Sequence, residues 1–251
     1  MVHFVGAGPG APDIITLRGA ELLRTADVVV YAGSLVNPEL LRYCRPECER
    51  YNSAEMHLDE VLDVMTAAEA AGKTTVRLHT GDPSLYGAIR EQMDALAARG
   101  VAYDVTPGVS SLFGAAAALE AEFTLPGVSQ SLIVTRLAGR TDVPERETLR
   151  ELAKHGASMA LFLSSGMLGR VQEELLAGGC AADVPAALVY KATWPDGKIV
   201  RCTVGTLAEA GEAAGIRKTA LVLVGDFLGA PYEKSRLYDR TFTTEFRKGE
   251  P

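Results

Sequence analysis

The sequence predicts an α/β protein of two α/β domains, the first around a mainly parallel sheet and the second around a mixed one. Three observations lead there. Short apolar, β-branched runs alternate with longer segments whose apolar residues recur at helical spacing, which is the pattern of α/β architecture. The stretch Phe123-Thr124-Leu125-Pro126-Gly127-Val128 interrupts that alternation. Beyond it, Thr193-Trp194-Pro195-Asp196-Gly197 joins two apolar runs through Pro-Asp-Gly, strong turn chemistry, so those strands should form an antiparallel hairpin. A chain of 251 residues has room for two domains of ordinary size. The boundary is expected over 113–127, dividing 1–115 from 116–228. A charged tail, 229–251, loses periodicity and is expected to wrap the surface or be partly mobile.

In the first half, strands are expected at 2–6, 27–31, 74–79 and 102–106, with a weaker one at 47–51. A helix should start at Leu17 with Thr16 as its cap. Residues 57–71 place Leu58, Val61, Leu62 and Met65 on one face and stop at Gly72. Residues 84–98 do the same with Leu85, Ile89, Met93 and Leu96, and stop at Gly100. Asp82 and Pro83 suit the N-cap and first position of that helix. The alanine-rich run 113–121 is a further helix. In the second half, strands are expected at 131–135, 157–163, 184–191, 198–204 and 219–225, with helices at 145–155, 167–177 and 206–214.

Composition narrows the functional classes. With 47% apolar and 23% charged residues the chain reads as a folded globular protein. No apolar stretch is long enough for a membrane span, and no basic segment followed by an apolar core opens the sequence, so a cytoplasmic location is expected. A net charge of −7 argues against general affinity for nucleic acid, while leaving room for local basic clusters. Of the cysteines, Cys44 and Cys48 stand close, Cys180 and Cys202 apart, and His3, His57, His79 and His155 are scattered. That spacing does not fit a zinc site and reads as reduced, buried thiols.

Two glycine-proline loops carry the functional signal. Gly6-Ala7-Gly8-Pro9-Gly10-Ala11-Pro12 follows the first strand, and His79-Thr80-Gly81-Asp82-Pro83-Ser84-Leu85-Tyr86-Gly87 follows Thr74–Leu78. Both fall at strand carboxyl ends, where open α/β sheets bind small ligands. Gly6, Gly8 and Ala11 satisfy the dinucleotide pattern G-x-G-x-x-A. That pattern works by presenting free N–H groups of an opening helix to a pyrophosphate. Pro9 and Pro12 have no N–H to present, and the next strand, Asp27–Tyr31, ends in Ala32-Gly33 without the acid that would take a ribose. A pocket for a nucleoside-like molecule, or a tight turn without ligand, remains.

Taken with Thr106-Pro107-Gly108-Val109-Ser110-Ser111, these loops resemble those of the tetrapyrrole methylases, the class III S-adenosylmethionine-dependent methyltransferases. The similarity runs to about residue 228. Further stretches resemble the cobalamin-biosynthesis branch of that family: Tyr31–Val36, Ala54–Leu58, Val134-Thr135-Arg136 with Gly139-Arg140-Thr141, and Val189–Arg201. The resemblance implies methyl transfer from S-adenosylmethionine to C11 of precorrin-4, or of its cobalt-containing counterpart. It also implies a homodimer, and an active site in the cleft between the two domains. Carried over position by position, it implies cofactor contacts at Pro9, Gly81, Asp82, Leu85, Tyr86, Ser110, Ser111, Leu163, Ser164, Ala192, Thr219 and Ala220. Ser164 departs from relatives that carry methionine there.

A sulfonium methyl is already activated, so the protein needs mainly to align two reactants and exclude water. The absence of any triad or close carboxylate pair agrees with that, and no residue stands out as a general base. The acetate and propionate groups of the macrocycle suit arginine and lysine. Arg136 and Arg140 lead, because both follow a strand end in a glycine-containing loop; Lys191, Arg77 and Arg201 are further candidates. Each has a plainer reading as a surface charge. Asp82, Ser110 and Ser111 have one as helix caps, Pro9 as a turn former and Tyr86 as core packing. Trp194 can pack on the macrocycle or within its hairpin, and His79 reads more readily as a core histidine than as a wall of the site. Three alternatives stay open: a non-catalytic tetrapyrrole carrier, an NAD dehydrogenase, and family branches that methylate ribosomal RNA or a protein histidine.

Overall fold

A computed structural model describes residues 1–250. The chain forms two compact units. The first comprises Met1–Ala118 together with Lys191–Gly197, and the second comprises Leu119–Tyr190 with the chain from Lys198 onward.

In the first unit the order is β1 (Val2–Gly6), α1 (Leu17–Thr25), β2 (Val28–Tyr31), β3 (Glu49–Asn52), α2 (Leu58–Ala70), β4 (Thr75–His79), α3 (Ile89–Ala98), β5 (Tyr103–Thr106) and α4 (Ser111–Leu119). The five strands pair in the order β3-β2-β4-β1-β5, all parallel. Parallel sheets are covered on both faces, so their strands read as continuous apolar runs, as Val28-Val29-Val30 does. Alternate residues therefore enter different cores. Val5, Val29, Val76 and Leu78 pack with Leu23 of α1. Val2, Phe4, Val28 and Val30 pack with Val61, Leu62 and Met65 of α2 and Leu96 of α3. Thr16 caps α1 through Oγ1, which accepts the Gly19 N–H at 3.1 Å.

The second unit runs β6 (Leu132–Arg136), α5 (Leu149–Ala153), β7 (Ser158–Phe162), α6 (Leu168–Ala177), β8 (Pro185–Tyr190), β9 (Lys198–Thr203), α7 (Leu207–Ala213) and β10 (Ala220–Val224). Its strand order is β6-β7-β10-β8-β9. Only β6 and β7 are parallel; β10 pairs antiparallel with β7 and β8, and β8 forms the expected hairpin with β9. Its core gathers Leu149, Met159, Leu161, Val171, Leu175, Leu188 and Val222.

Three features depart from the sequence reading. The helix expected at 84–98 begins at Ile89, and the residues before it form a turn with Tyr86 and Ala88 at positive φ. Asp82 is therefore not its cap: the Asp82 carboxylate is drawn to the loop after β5 instead. The helix expected at 145–155 divides into a 3-10 turn, Glu145–Glu147, and α5, because Thr148 between them is extended. The hairpin tip 191–197, read as part of the second half, belongs to the first unit, where its side chains bond the loop after β1. The tail carries its own hydrogen bonds: Arg247 Nη2 donates to the carbonyls of Leu237 at 3.0 Å and Asp239 at 2.7 Å.

Candidate functional site

Three loops leave the carboxyl edge of the first sheet, after β1, β4 and β5, and the structure pins them together. Gly8 and Gly81 exchange a pair of backbone hydrogen bonds, 3.3 and 2.8 Å, as an isolated antiparallel bridge. The Ala7 N–H donates to the His79 carbonyl at 2.7 Å. The loop after β5 crosses so near that a Cβ on Gly6 would come within 2.5 Å of Gly108 Cα. Only glycine at both places permits that approach.

Asp82 ties the second loop to the third. Its Oδ2 accepts the Gly108 N–H at 2.9 Å, and its Oδ1 accepts the Ser84 N–H at 2.9 Å and the Ser84 hydroxyl. Burial pushes the Asp82 carboxyl up, but the bonds from Ser84 and Gly108 together outweigh it and hold the group below its ordinary value. Three of roughly four lone-pair sites on the carboxylate are occupied, which leaves one acceptor position on Oδ2. Ser110 is buried and its Oγ accepts the Leu112 N–H at 3.2 Å, while Ser111 opens α4. Gly81 and Pro9 are buried, Leu85 is half-buried, and Tyr86 is exposed at positive φ. The hairpin tip brings Ala192, buried, and Lys191 to the same unit; Lys191 Nζ pairs with Asp196 and lies 5.1 Å from the centre of the Trp194 ring. Pro9, Gly81, Asp82, Leu85, Tyr86, Ser110, Ser111 and Ala192 are thus all residues of the first unit.

The second unit holds the remainder on the loops after β6 and β7 and at the start of β10. Ser164 is fully buried; its Oγ accepts the Leu137 N–H at 2.9 Å and donates to the Phe162 carbonyl at 2.7 Å. That hydroxyl joins the ends of β6 and β7, and Leu163 beside it is presented instead, 63% exposed and at φ 53°. Thr219, at φ 59°, leads into Ala220. The Arg136 guanidinium shapes the loop after β6 by donating to the carbonyls of Thr141 at 3.0 Å and Asp142 at 2.7 Å; Arg140 in that loop is exposed.

Two of the further candidate cations are structural. Arg77 is buried and donates to Gln92 Oε1 at 3.0 Å and the Val30 carbonyl at 3.1 Å. Arg201 donates to the carbonyls of Leu119 at 3.2 Å and Leu228 at 3.3 Å. His79 is a core residue stacked on Phe4. Among the described residues no three potential ligands gather as a metal site, and no helix is long and apolar enough to cross a membrane.

Sequence reasoning missed two features here. Thr193 Oγ1 accepts the Ala11 N–H at 2.9 Å, and the Trp194 indole donates to the Pro9 carbonyl at 3.2 Å. Such contacts join residues far apart in sequence, so periodicity does not reveal them. Left-handed non-glycine residues also gather at these loops: Tyr86, Ala88, Leu163, Lys191, Thr193 and Thr219. Held strain of that kind collects where function constrains the backbone.

The loops fit a nucleoside with a charged sulfur. Their backbones meet closely, the half-buried Asp82 carboxylate that ties two of them keeps one acceptor position on Oδ2, and the Tyr86 side chain is exposed. They do not fit a pyrophosphate, because the amides of Ala7, Gly8 and Ala11 are already spent within the unit. Comparison with known proteins agrees. The sequence profile of the Tetrapyrrole (Corrin/Porphyrin) Methylases matches residues 1–208. The chain is 52% identical to the cobalt-precorrin-4 C(11)-methyltransferase of Methanocaldococcus jannaschii, over 98% of this chain and 96% of that one. It is 46% identical to a precorrin-4 C(11)-methyltransferase of Sinorhizobium sp., over 98% of each. A solved cobalt precorrin-4 methyltransferase superposes with a TM-score of 0.88 at 50% identity, covering 90% of this chain and 95% of that one. Uroporphyrin-III C-methyl transferase of Thermus thermophilus, solved with S-adenosyl homocysteine, gives 0.77 at 27%, covering 90% and 98%. On fold, loops and full-length similarity together, this chain belongs to the tetrapyrrole methylase family.

Proposed function

We propose that the protein transfers a methyl group from S-adenosylmethionine to C11 of precorrin-4 or cobalt-precorrin-4, in cobalamin biosynthesis. The observation that carries this reading is similarity over nearly the whole of both chains to proteins named for that reaction. The higher identity to the cobalt-named relative favours the cobalt-containing substrate, whose metal arrives inside the macrocycle.

In this reading the cofactor contacts of the first unit are Pro9, Gly81, Asp82, Leu85, Tyr86, Ser110, Ser111 and Ala192; Leu163, Thr219 and Ala220 of the second unit are contacts that the resemblance implies. Ser164 contributes by fixing the backbone beside Leu163. When bound, S-adenosylmethionine supplies a methyl on a cationic sulfur whose leaving group is a neutral thioether. Asp82, held ionised by its Ser84 and Gly108 donors, favours a cation nearby and accepts one hydrogen bond from the ligand. The pinned loops of the first unit orient the ligand, and the exposed Tyr86 side chain shields it from water. Orientation of that kind supplies roughly 7–11 kcal/mol in well-aligned systems. Arg136, Arg140 and Lys191 grip the carboxylates of the macrocycle.

We further assign a homodimer, as the family resemblance implies, to be checked by sedimentation; a monomer at micromolar concentration overturns it. A cytoplasmic location suits four cysteines that are all free thiols. The net charge of −7 weighs against an RNA substrate. The deciding experiment incubates the protein with methyl-labelled cofactor and each form of the substrate, followed by mass and NMR assignment. One label at C11 is expected. Macrocycle binding without label identifies a carrier and ends the enzymatic reading.

A further inference from the structure

We infer that Trp194, with Thr193, is a positioning clasp for the loop after β1, and that its seating sets the affinity of the cofactor site. The inference rests on the reading of Pro9 and Ala192 as cofactor contacts.

The tip of the hairpin brackets Gly10. On one side the Trp194 indole N–H reaches the Pro9 carbonyl, and on the other Thr193 Oγ1 takes the Ala11 N–H. The indole fills the space above Gly10: a Cβ there would stand 2.1 Å from Trp194 Cδ1 and Nε1. No other residue at position 10 lets the ring seat. The rest of the loop is held from elsewhere in the unit. Buried Asn37 donates through Nδ2 to the Gly10 carbonyl at 2.9 Å, and the Tyr43 hydroxyl donates to the Pro12 carbonyl at 3.3 Å. Gly114 of α4 completes the packing, since a Cβ there would meet Pro9 at 2.9 Å and Thr193 at 3.2 Å.

The clasp itself is under tension. Lys191 at φ 46° and Thr193 at φ 69° occupy backbone conformations that side chains disfavour. The bonds to the loop, the ion pair of Lys191 with Asp196 and the ammonium over the indole hold them there. Ala192 lies between the two strained residues, so its position depends on both. A mere hairpin turn needs none of this: the Trp194 N–H to Lys191 carbonyl bond already closes it at 3.0 Å. The side-chain bonds to Pro9 and Ala11 are additional, and their effect falls on the loop. Trp194 and Thr193 act through Pro9 and Ala192, without touching the reacting atoms.

Trp194 is the one tryptophan in the sequence, so its emission reports the clasp directly. The test titrates the full-length protein with S-adenosylhomocysteine, by calorimetry and by tryptophan emission with acrylamide quenching. Wild-type protein is expected to bind, with a shifted emission maximum and reduced acrylamide quenching. Thr193→Val keeps the fluorophore and removes the acceptor for Ala11. Trp194→Phe keeps an aromatic ring and removes the donor to Pro9. Each is expected to weaken binding by roughly 3- to 10-fold, the effect of one lost hydrogen bond. In turnover each should raise KM for the cofactor more than it lowers kcat, with both variants still folding cooperatively. Binding by wild type with unchanged emission, or both variants binding as tightly as wild type, overturns the clasp and leaves the cofactor reading intact. Failure of wild type to bind S-adenosylhomocysteine overturns both.

Discussion

The third alternate residue of β4, His79, shows how one side chain records the chemistry around it. Thr75, Arg77 and His79 point to the same face of the sheet, and all three are buried. His79 Nε2 has no hydrogen-bond partner among the described residues. Burial first, and then the charge of Arg77, bring its pKa down to about 3. The native state therefore refuses a proton that the unfolded chain accepts near the ordinary histidine value of 6.5. The neutral ring's contribution to stability is complete above that value and is lost progressively as pH falls from it towards 3. The slope reaches at most about 1.4 kcal/mol per pH unit. His79→Phe, which preserves stacking on Phe4, should flatten this dependence; urea unfolding at pH 7.5 and 5.0 measures it, and an unchanged slope refutes the assignment. Asp82 makes the complementary case. Asp82→Ala deletes the tie between the second and third loops and should weaken S-adenosylhomocysteine binding at least tenfold in calorimetry. Its cost in stability should be about 1.5–3 kcal/mol, the range for lost hydrogen bonds to a charged group. Undiminished affinity would remove Asp82 from the site.

At the scale of elements, the strands of both sheets were legible to within a residue or two, because apolar runs such as Val28-Val29-Val30 and Ala220–Val224 leave no other burial pattern. The hairpin followed from Pro-Asp-Gly chemistry. The start of α3 was not legible: local rules make Asp82 a cap, whereas Tyr86 and Ala88 at positive φ turn the chain before Ile89 and the Asp82 carboxylate also bonds Gly108 on another loop. The identities of the loop residues came from resemblance to a family, whereas their strained backbone came only from the structure. That strain is itself testable. Thr219 is held at φ 59° where glycine would sit freely, and a non-glycine residue there costs of order 1 kcal/mol or more. Thr219→Gly should therefore leave stability equal or raise it by up to about 1 kcal/mol, while lowering cofactor affinity through a looser loop. Chemical denaturation and calorimetry on the same variant read the two effects separately. A fall in stability with affinity unchanged would make Thr219 a plain structural residue.

Across the whole molecule, each unit has its own core and its own ties. Arg201 joins the carbonyls of Leu119 and Leu228, so it closes the second unit near both ends of its fold. Arg201→Met, which keeps the aliphatic stem, should cost about 0.5–1.5 kcal/mol in stability, because the guanidinium is exposed and its bonds are screened by solvent. Methyl transfer at a temperature where the variant is folded should be unchanged; a raised KM for the macrocycle would return Arg201 to the substrate site. The first unit has the opposite character, being assembled from two stretches of chain. The ribosome delivers Met1–Ala118 well before Lys191–Gly197 emerges, a delay on the order of 10 s at ordinary elongation rates. Throughout that interval a nascent chain carries its glycine-proline segment without the indole and hydroxyl that later lock it. Vectorial synthesis thus makes this segment the last part of the amino-terminal half to mature, and a protease present during translation should cut there more readily than in the finished protein.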